Sequence, residues 1–175
     1  MTQPDSASWS ESIYQTLLSH RIRQVAYVPD AGHRNLINRC AQSKQMLTVP
    51  LTTEEEGVAL LAGAWLGGER GVLLMQSSGI GNCINMFSLT RVCRMPLLML
   101  VTMRGESGEL NPWQVPMGQN AEKLLTTSGI QTFPVLESGQ IEGKVDAAAG
   151  RVFEGSEAAA VLISQHVLGV KAFEE

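Results

Sequence analysis

Three consecutive glutamates, Glu54, Glu55 and Glu56, begin a segment of small and apolar residues that has the composition of a helix. Carboxylates in the first turn of a helix complement its dipole, so capping alone explains the run. A carboxyl group in this place can also exchange a proton with a ligand, as a general acid or base does. The helix behind it carries small side chains, which favour close contact with another chain: Ala59, Ala62, Gly63 and Ala64.

A second candidate is the segment Ser77-Ser78-Gly79-Ile80-Gly81-Asn82, which links a predicted strand to a predicted helix. Backbone N–H groups in such a glycine loop can bind an anion. The segment lacks the lysine of a P-loop and does not match G-x-G-x-x-G, so a plain tight turn explains it equally well. If it binds a ligand, the candidate residues are Ser78, Gly79, Gly81 and Asn82.

Other polar residues follow the remaining predicted strands. Asp30 and His33 follow the first, and His33 can orient a substrate or move a proton, although a surface-loop histidine is an equal alternative. Arg104 follows the fourth strand and can hold a carboxylate, sulfonate or phosphonate through its planar guanidinium, or form an intersubunit salt bridge. Gln114 lies further along the same loop, with Trp113 expected to pack beside it.

Predicted strands and helices alternate along the whole chain. Strands are predicted at 24–29, 46–51, 72–76, 96–102, 131–136 and 158–164. Helices are predicted at 9–19, 34–41, 54–66, 82–91, 121–127 and 141–153, with a long loop at 103–118. This alternation predicts an α/β fold in one domain over 1–175, with a doubly wound parallel sheet of about six strands and helices on both faces. Ligands bind beyond the carboxyl ends of such strands, where the candidate residues gather.

Composition narrows the function. A net charge of -4 without a basic run argues against nucleic acid, and no apolar run reaches the length of a membrane span. We expect a cytoplasmic protein with a polar, leaderless N-terminus. The cysteines, Cys40, Cys83 and Cys93, lack metal-ligand spacing and are interpreted as small apolar residues in a reducing compartment, so no metal ligand is assigned. Only 17% of the residues are charged, which indicates an oligomer.

Three segments together resemble the pyrimidine-binding domain of thiamine diphosphate enzymes. They are TTEEEGVALLAGAWLGGERGVLLMQSSGIGNCIN, then PLLMLVTMRGE, then WQVPMG. The similarity runs from about Tyr27 to Gly118 and is greatest to the alpha subunit of sulfopyruvate decarboxylase and to phosphonopyruvate decarboxylases. Each motif is loose, but their order, spacing and position in the predicted sheet are specific.

The resemblance implies thiamine diphosphate as the cofactor. In this family a glutamate at the start of the helix after the second strand hydrogen-bonds a ring nitrogen of the aminopyrimidine. Counting back from SSGIGN without a gap places that glutamate at Glu54, whereas a shift that puts Trp65 at the family's usual aromatic position gives Glu55. The ungapped count favours Glu54, and Glu56 is then a solvated or interface carboxylate. Gln114 matches a family position near the substrate.

The resemblance also implies a partner. The family's diphosphate-binding domain carries a GDG motif and a downstream Asn that hold Mg²⁺ and the diphosphate, and this chain has no GDG and too little length for that domain. The implied protein is an alpha-type subunit that forms a hetero-oligomer with a diphosphate-binding, beta-type subunit. That partner would hold most of the Mg²⁺ coordination, and the substrate would be a small 2-oxo acid.

Three rival functions fit the same residues. The first is an acetolactate synthase-like carboligase subunit, in which a second carbonyl compound traps the intermediate. The second is a non-catalytic binding or regulatory subunit. The third, a flavodoxin-like nucleotide binder, agrees least with the sequence because SSGIGN lacks the expected phosphate-loop chemistry.

Overall fold

Six parallel strands form one sheet in the order β2-β1-β3-β4-β6-β5 in the computed structural model, which describes residues 6–168. The strands are β1 Ile22–Tyr27, β2 Leu47–Pro50, β3 Arg70–Gln76, β4 Leu97–Thr102, β5 Gln131–Val135 and β6 Ala158–Ile163. The helices are α1 Ser6–Ser19, α2 Arg34–Ala41, α3 Glu54–Leu66, α4 Ile80–Cys83, α5 Ser88–Val92, α6 Val115–Thr127, α7 Ile141–Gly155 and α8 Gln165–Leu168. None of the helices between residues 6 and 168 is long and apolar enough to span a bilayer.

The two faces of the sheet bury separate hydrophobic cores. Val72 and Leu74 of β3 belong to the core formed with α1, α2 and α7, whereas Leu73 and Met75 belong to the core under α3, α4 and α6. Every residue of β4 and β6 is buried, as expected for central strands covered on both sides. The predicted α/β class, strand number and two-sided helix layers are therefore confirmed.

Two predicted boundaries near the carboxyl edge are wrong. The single helix predicted at 82–91 is replaced by two short helices, α4 and α5. Between them the backbone forms 3₁₀-type hydrogen bonds from residue i to residue i−3, such as Ser88 N–H to Asn85 O and Thr90 N–H to Phe87 O. The loop predicted at 103–118 ends earlier, since a 3₁₀ turn at Pro112–Gln114 leads directly into α6. Proline is tolerated in the first turn of a helix, so Pro112 and Pro116 do not prevent it.

The strand order reverses direction between β1 and β3. The chain passes from β1 outward to β2, and then returns across β1 to β3. In open parallel sheets the crevice at such a reversal, beyond the carboxyl ends of the strands, is where ligands bind. The fold therefore brings the residues after β1, the first turn of α3 and the turn after β3 to one place.

Helix α3 lies close to β3 because Gly71 has no side chain. A Cβ at Gly71 would lie 2.3 Å from Leu61 Cδ2 and 3.0 Å from Gln24 Cβ. Leu61 is almost fully buried in the core beneath α3. Gly71 thus sets the distance between the helix that begins at Glu54 and the strand that ends beside Ser77.

We expect Gly71→Ala to lower the free energy of unfolding by about 1–3 kcal/mol, because the added methyl group overpacks the contact with Leu61. Gly63→Ala is the matched control. A Cβ there meets nothing within 4 Å, and alanine is the better helix former, so stability should rise by about 0.5–1 kcal/mol. Urea denaturation of both variants measures the difference, and equal midpoints would contradict the close packing described for Gly71.

Candidate functional site

Glu54 and the turn after β3 form the centre of the site. The Glu54 side chain is 9% exposed, and its Oε2 accepts a 2.7 Å hydrogen bond from Asn82 Nδ2. A Cβ at Gly79 would lie about 2.5 Å from the end of the Glu54 side chain, so a larger residue there would displace the carboxyl group. Three of the sequence-predicted residues are thereby brought together, with the carboxyl group fixed against the turn.

The two neighbouring glutamates differ in their surroundings. Glu56 Oε2 accepts a 2.9 Å hydrogen bond from the Thr52 backbone N–H, which caps the start of α3. Glu56 is exposed, as predicted for a solvated carboxylate, and this hydrogen bond also gives it a structural partner in its own chain. Glu55 Oε2 is buried and has no hydrogen-bond partner among residues 6–168.

Cys83 lies beneath this group of carboxylates. Burial and, to a smaller extent, the nearby charges of Glu54 and Glu55 together raise the pKa of the Cys83 thiol to about 12. The thiol is therefore protonated at neutral pH and acts as an apolar packing residue, as predicted. Cys40 is likewise buried, whereas Cys93 is exposed, so the packing interpretation is wrong for Cys93.

The glycine segment is mostly helical. Ser78 and Gly79 belong to a 3₁₀ turn at Ser77–Gly79, and α4 already begins at Ile80. Gly81 is therefore helical and not part of a loop, whereas Asn82 is helical as predicted. Gly81 is exposed, and a Cβ there would lie 3.6 Å from the Met117 side chain of α6.

Asp30 is held above the sheet by a residue that the sequence analysis missed. Its Oδ2 accepts a 2.7 Å hydrogen bond from Thr102 Oγ1 at the end of β4, and Asp30 is only 8% exposed. A Cβ at Gly32 would lie 2.8 Å from the same carboxylate oxygen, so the connection after β1 fits tightly over the strand ends.

His33 is fully buried, so the surface-loop alternative is wrong. Its Nε2 donates a 3.0 Å hydrogen bond to Leu100 O of β4, and its Nδ1 is buried without a partner in the described part of the chain. Burial disfavours the charged imidazolium and lowers the pKa of His33. The ring has no exposed surface, and the negative charge of Asp30 acts on it in the opposite direction to burial.

Arg104 is neutralised within its own chain. Its Nε and Nη2 each donate a 2.6 Å hydrogen bond to a carboxylate oxygen of Glu109. The acidic partner of Arg104 in this structure is therefore five residues away in the same loop, and the intersubunit salt bridge stays a prediction. No periodic pattern in the sequence points to Glu109, so this residue was also missed.

Glu109 organises the irregular segment between β4 and α6. Besides Arg104, its carboxylate accepts hydrogen bonds from Gly105 N–H at 3.2 Å, Asn111 N–H at 2.9 Å and Gln165 Nε2 at 2.9 Å. The bonds from Arg104 dominate the lowering of the Glu109 pKa to about 2. The carboxylate is therefore ionised throughout the neutral and mildly acidic range.

Gln114 lies at the end of this segment, in the 3₁₀ turn that precedes α6. Its Oε1 is buried and unpartnered within residues 6–168, so the amide retains an unused acceptor. Trp113 is 88% exposed and does not pack beside it, contrary to prediction. Its backbone N–H instead donates to Asn111 Oδ1 at 3.1 Å, which caps the turn.

Residues 8–133 match the family described as thiamine pyrophosphate enzyme, N-terminal TPP binding domain. The chain belongs to this family. The resemblance drawn from the sequence is therefore confirmed, and it accounts for the fold and for the crevice at the strand reversal. No group of three or more His, Cys, Asp or Glu side chains in the described residues is arranged to hold a metal ion.

The relatives of this chain include alpha subunits that it covers over most of their length and a longer protein of which it covers a smaller part. The chain is 40% identical over 125 residues to sulfopyruvate decarboxylase subunit alpha of Methanococcus maripaludis, a match that covers 71% of this chain and 75% of the relative. The corresponding subunit of Methanocaldococcus jannaschii is 39% identical over 125 residues, with 71% and 74% covered. Phosphonopyruvate decarboxylase of Streptomyces viridochromogenes is 39% identical over 106 residues, or 59% of this chain, but only 27% of that longer protein is covered.

A solved structure shares the fold. A 2-oxoglutarate:ferredoxin oxidoreductase from Magnetococcus marinus superposes with a TM-score of 0.67 over 93% of this chain and 29% of its own, at 10% sequence identity. Identity this low supports the fold alone.

The central residues fit the pyrimidine end of thiamine diphosphate. One oxygen of the Glu54 carboxyl accepts a hydrogen bond from Asn82, and Gly79 leaves room for this side chain, which a larger residue would displace. A fixed carboxyl group is a suitable hydrogen-bonding partner for a nitrogen heterocycle. The buried, unpartnered Oε2 of Glu55 is a further acceptor on the same turn.

We expect Glu109→Gln to lower the free energy of unfolding at pH 7 by about 3 kcal/mol, as the lowered pKa implies. A depressed pKa stabilises the fold above the unfolded value of 4.5, and the effect disappears as pH falls towards about 2. The difference between wild type and variant should therefore shrink across that window in urea titrations. Glu157→Gln, which breaks the exposed pair with Arg151, should change little. A pH-independent difference for Glu109→Gln would contradict this assignment.

Proposed function

We propose that this chain is an alpha-type subunit of a thiamine diphosphate-dependent 2-oxo acid decarboxylase of the sulfopyruvate and phosphonopyruvate decarboxylase kind. The observation that carries the proposal is the Glu54 carboxyl group, fixed by Asn82 against Gly79 at the strand reversal of a thiamine pyrophosphate-binding domain. The names of the relatives, which are decarboxylases matched at 33–40% identity, support this reaction.

Glu54 is proposed to share a proton with a ring nitrogen of the aminopyrimidine. When bound, the cofactor supplies the electron sink that allows a 2-oxo acid to lose carbon dioxide. Asn82 orients the carboxyl group of Glu54, and the turn at Ser78 and Gly79 would line the binding site of the aminopyrimidine. The surroundings of Glu54 are largely closed to water, which strengthens its hydrogen bonds.

The substrate is proposed to bind on the opposite side of the crevice. Asp30 is fixed by Thr102, and Gln114 presents a free amide oxygen from the segment organised by Glu109. Both groups come from the carboxyl edge of the sheet, on connections that follow β1 and β4. His33 is proposed to support Asp30 from below rather than to transfer a proton itself.

A separate diphosphate-binding subunit is proposed to complete the site and to hold Mg²⁺. The support is the name of the relatives matched over most of their length, which are called alpha subunits. The outward face of α3 is proposed to contribute to the contact, because Gly63 faces open space and Ala59 is exposed. Small residues on that face permit another backbone to come close.

We expect the purified chain to be inactive alone and to gain thiamine diphosphate-dependent decarboxylation of sulfopyruvate when a diphosphate-binding partner is added. Carbon dioxide release is the measurement, and product analysis distinguishes decarboxylation from carboligation. Gly63→Leu is the assembly control, since it should fold normally alone but reconstitute poorly. Robust turnover without a partner would reject the split-subunit proposal, and no turnover with any such partner would reject the reaction.

Within the assembled complex, Glu54→Gln should reduce kcat by about a hundred- to ten-thousand-fold, the usual contribution of a general acid or base. Glu56→Gln should keep most of the activity, because the amide oxygen can still accept the hydrogen bond from Thr52 N–H. Steady-state kinetics and cofactor titration measure both. If Glu55→Gln is the inactive variant instead, the cofactor-activating carboxylate is one residue further along the helix.

A further inference from the structure

Arg104 and Arg34 lie at the carboxyl edge of the sheet, and they differ in whether an acidic side chain pairs with the guanidinium group. Arg104 is held by Glu109, whose side chain is only 3% exposed. Arg34, the first residue of α2, forms no ion pair with any residue between 6 and 168. A guanidinium without an acidic partner is available to bind a carboxylate, sulfonate or phosphonate through two parallel hydrogen bonds.

Arg34 lines a cavity of about 330 Å³ beside the connection from β1 to α2. Tyr27, Asp30 and Asn38 contribute its other polar groups, and Pro29, Ala31 and Ile37 contribute apolar surface. Arg34 and Asn38 are four residues apart on α2, so their side chains project from the same side of the helix. A volume near the lower end of the range for ligand sites, about 300–1,000 Å³, suits a small molecule.

Asp30 connects this cavity to the candidate site. It lines the cavity, and its Oδ2 is bound by Thr102 at the end of β4. Because Asp30 is 8% exposed, most of its surface is already covered by protein. The exposed charge in the cavity is therefore that of Arg34, and a molecule bound there would extend towards the strand ends.

We propose that this cavity binds the second acidic group of a dianionic 2-oxo acid, with Arg34 as the charged donor and the Asn38 amide as a neutral donor. The inference rests on the proposed decarboxylase function for the reaction, but the anion site itself depends only on the cavity and its residues. Anion binding is thus assigned to Arg34 and not to Arg104, because the Nε and Nη2 groups of Arg104 already donate hydrogen bonds to Glu109. Discrimination between dianionic and monoanionic substrates would then arise in this chain and not in its partner.

Binding is tested first on the full chain with sulfoacetate, a small unreactive dianion, and with acetate as the monoanion. Nuclear magnetic resonance titration should show sulfoacetate shifting the Arg34 Nε–H and Asn38 side-chain amide signals. Arg34→Gln should weaken sulfoacetate binding about ten- to a hundredfold, the usual effect of removing a charged hydrogen-bond donor. Arg34→Lys should restore part of the affinity, and Arg151→Gln, which removes an equal charge from exposed α7, should leave it unchanged. Equal sulfoacetate affinity in wild type and Arg34→Gln would overturn the proposal.

Kinetics of the assembled complex provide the second test. Arg34→Gln should raise KM for sulfopyruvate by about ten- to a hundredfold while leaving KM for pyruvate and both kcat values nearly unchanged. An equal rise in KM for both substrates would overturn the assignment of Arg34 to the second acidic group. A complex that binds sulfoacetate through Arg34 but decarboxylates neither compound would reject the proposed reaction and leave the anion site standing.

Discussion

The contact between the Glu54 carboxyl group and Gly79 is the constraint on which the site depends. A methyl group on Gly79 would lie about 2.5 Å from the end of the Glu54 side chain, so the carboxyl group keeps its present position only with glycine in the turn after β3. Gly71 imposes the same kind of limit at the other end of the helix–strand contact, through Leu61. Because Gly71 and Gly79 have no side chains, they determine how close α3 lies to the sheet and in which direction the Glu54 side chain points.

The charge of the Glu109 carboxylate is the second constraint, and it acts in the irregular segment between β4 and α6. The segment from β4 to α6 has few backbone hydrogen bonds of its own, and the Glu109 carboxylate replaces them with five from four residues. Removing one member of such a buried pair is unfavourable because the other charge is left without compensation. Gly118 also lies so close to Arg104 O that no Cβ fits, and this contact holds the start of α6 against the same segment.

The fold followed from the sequence more completely than the site did. The bounds of α2 and α3 agree with prediction, since the glutamates at the start of α3 and the glycines after it are strong local signals. The chain around α4 and α5 was mispredicted because hydrogen bonds between residues three apart interrupt the helix between Cys83 and Ser88. A local pattern of residue types does not show where the hydrogen bonding of a helix is interrupted.

Within the site, the sequence identified residues by type and position but not by partner. Glu54 and Asn82 were both candidates, and their hydrogen bond follows from a tertiary contact across 28 residues of chain. The pairing of Arg104 with Glu109 and the support of Asp30 by Thr102 depend on the path of irregular segments. Such paths are set by the packing of the whole edge, which a single sequence does not display.

The groups that support the site do not change protonation near neutral pH. Glu109 has a pKa of about 2, the Cys83 thiol has a pKa of about 12, and burial lowers the pKa of His33. Around pH 7 the Glu109 carboxylate therefore stays charged and the Cys83 thiol stays neutral, so neither group would cause a bend in a plot of rate against pH in that region.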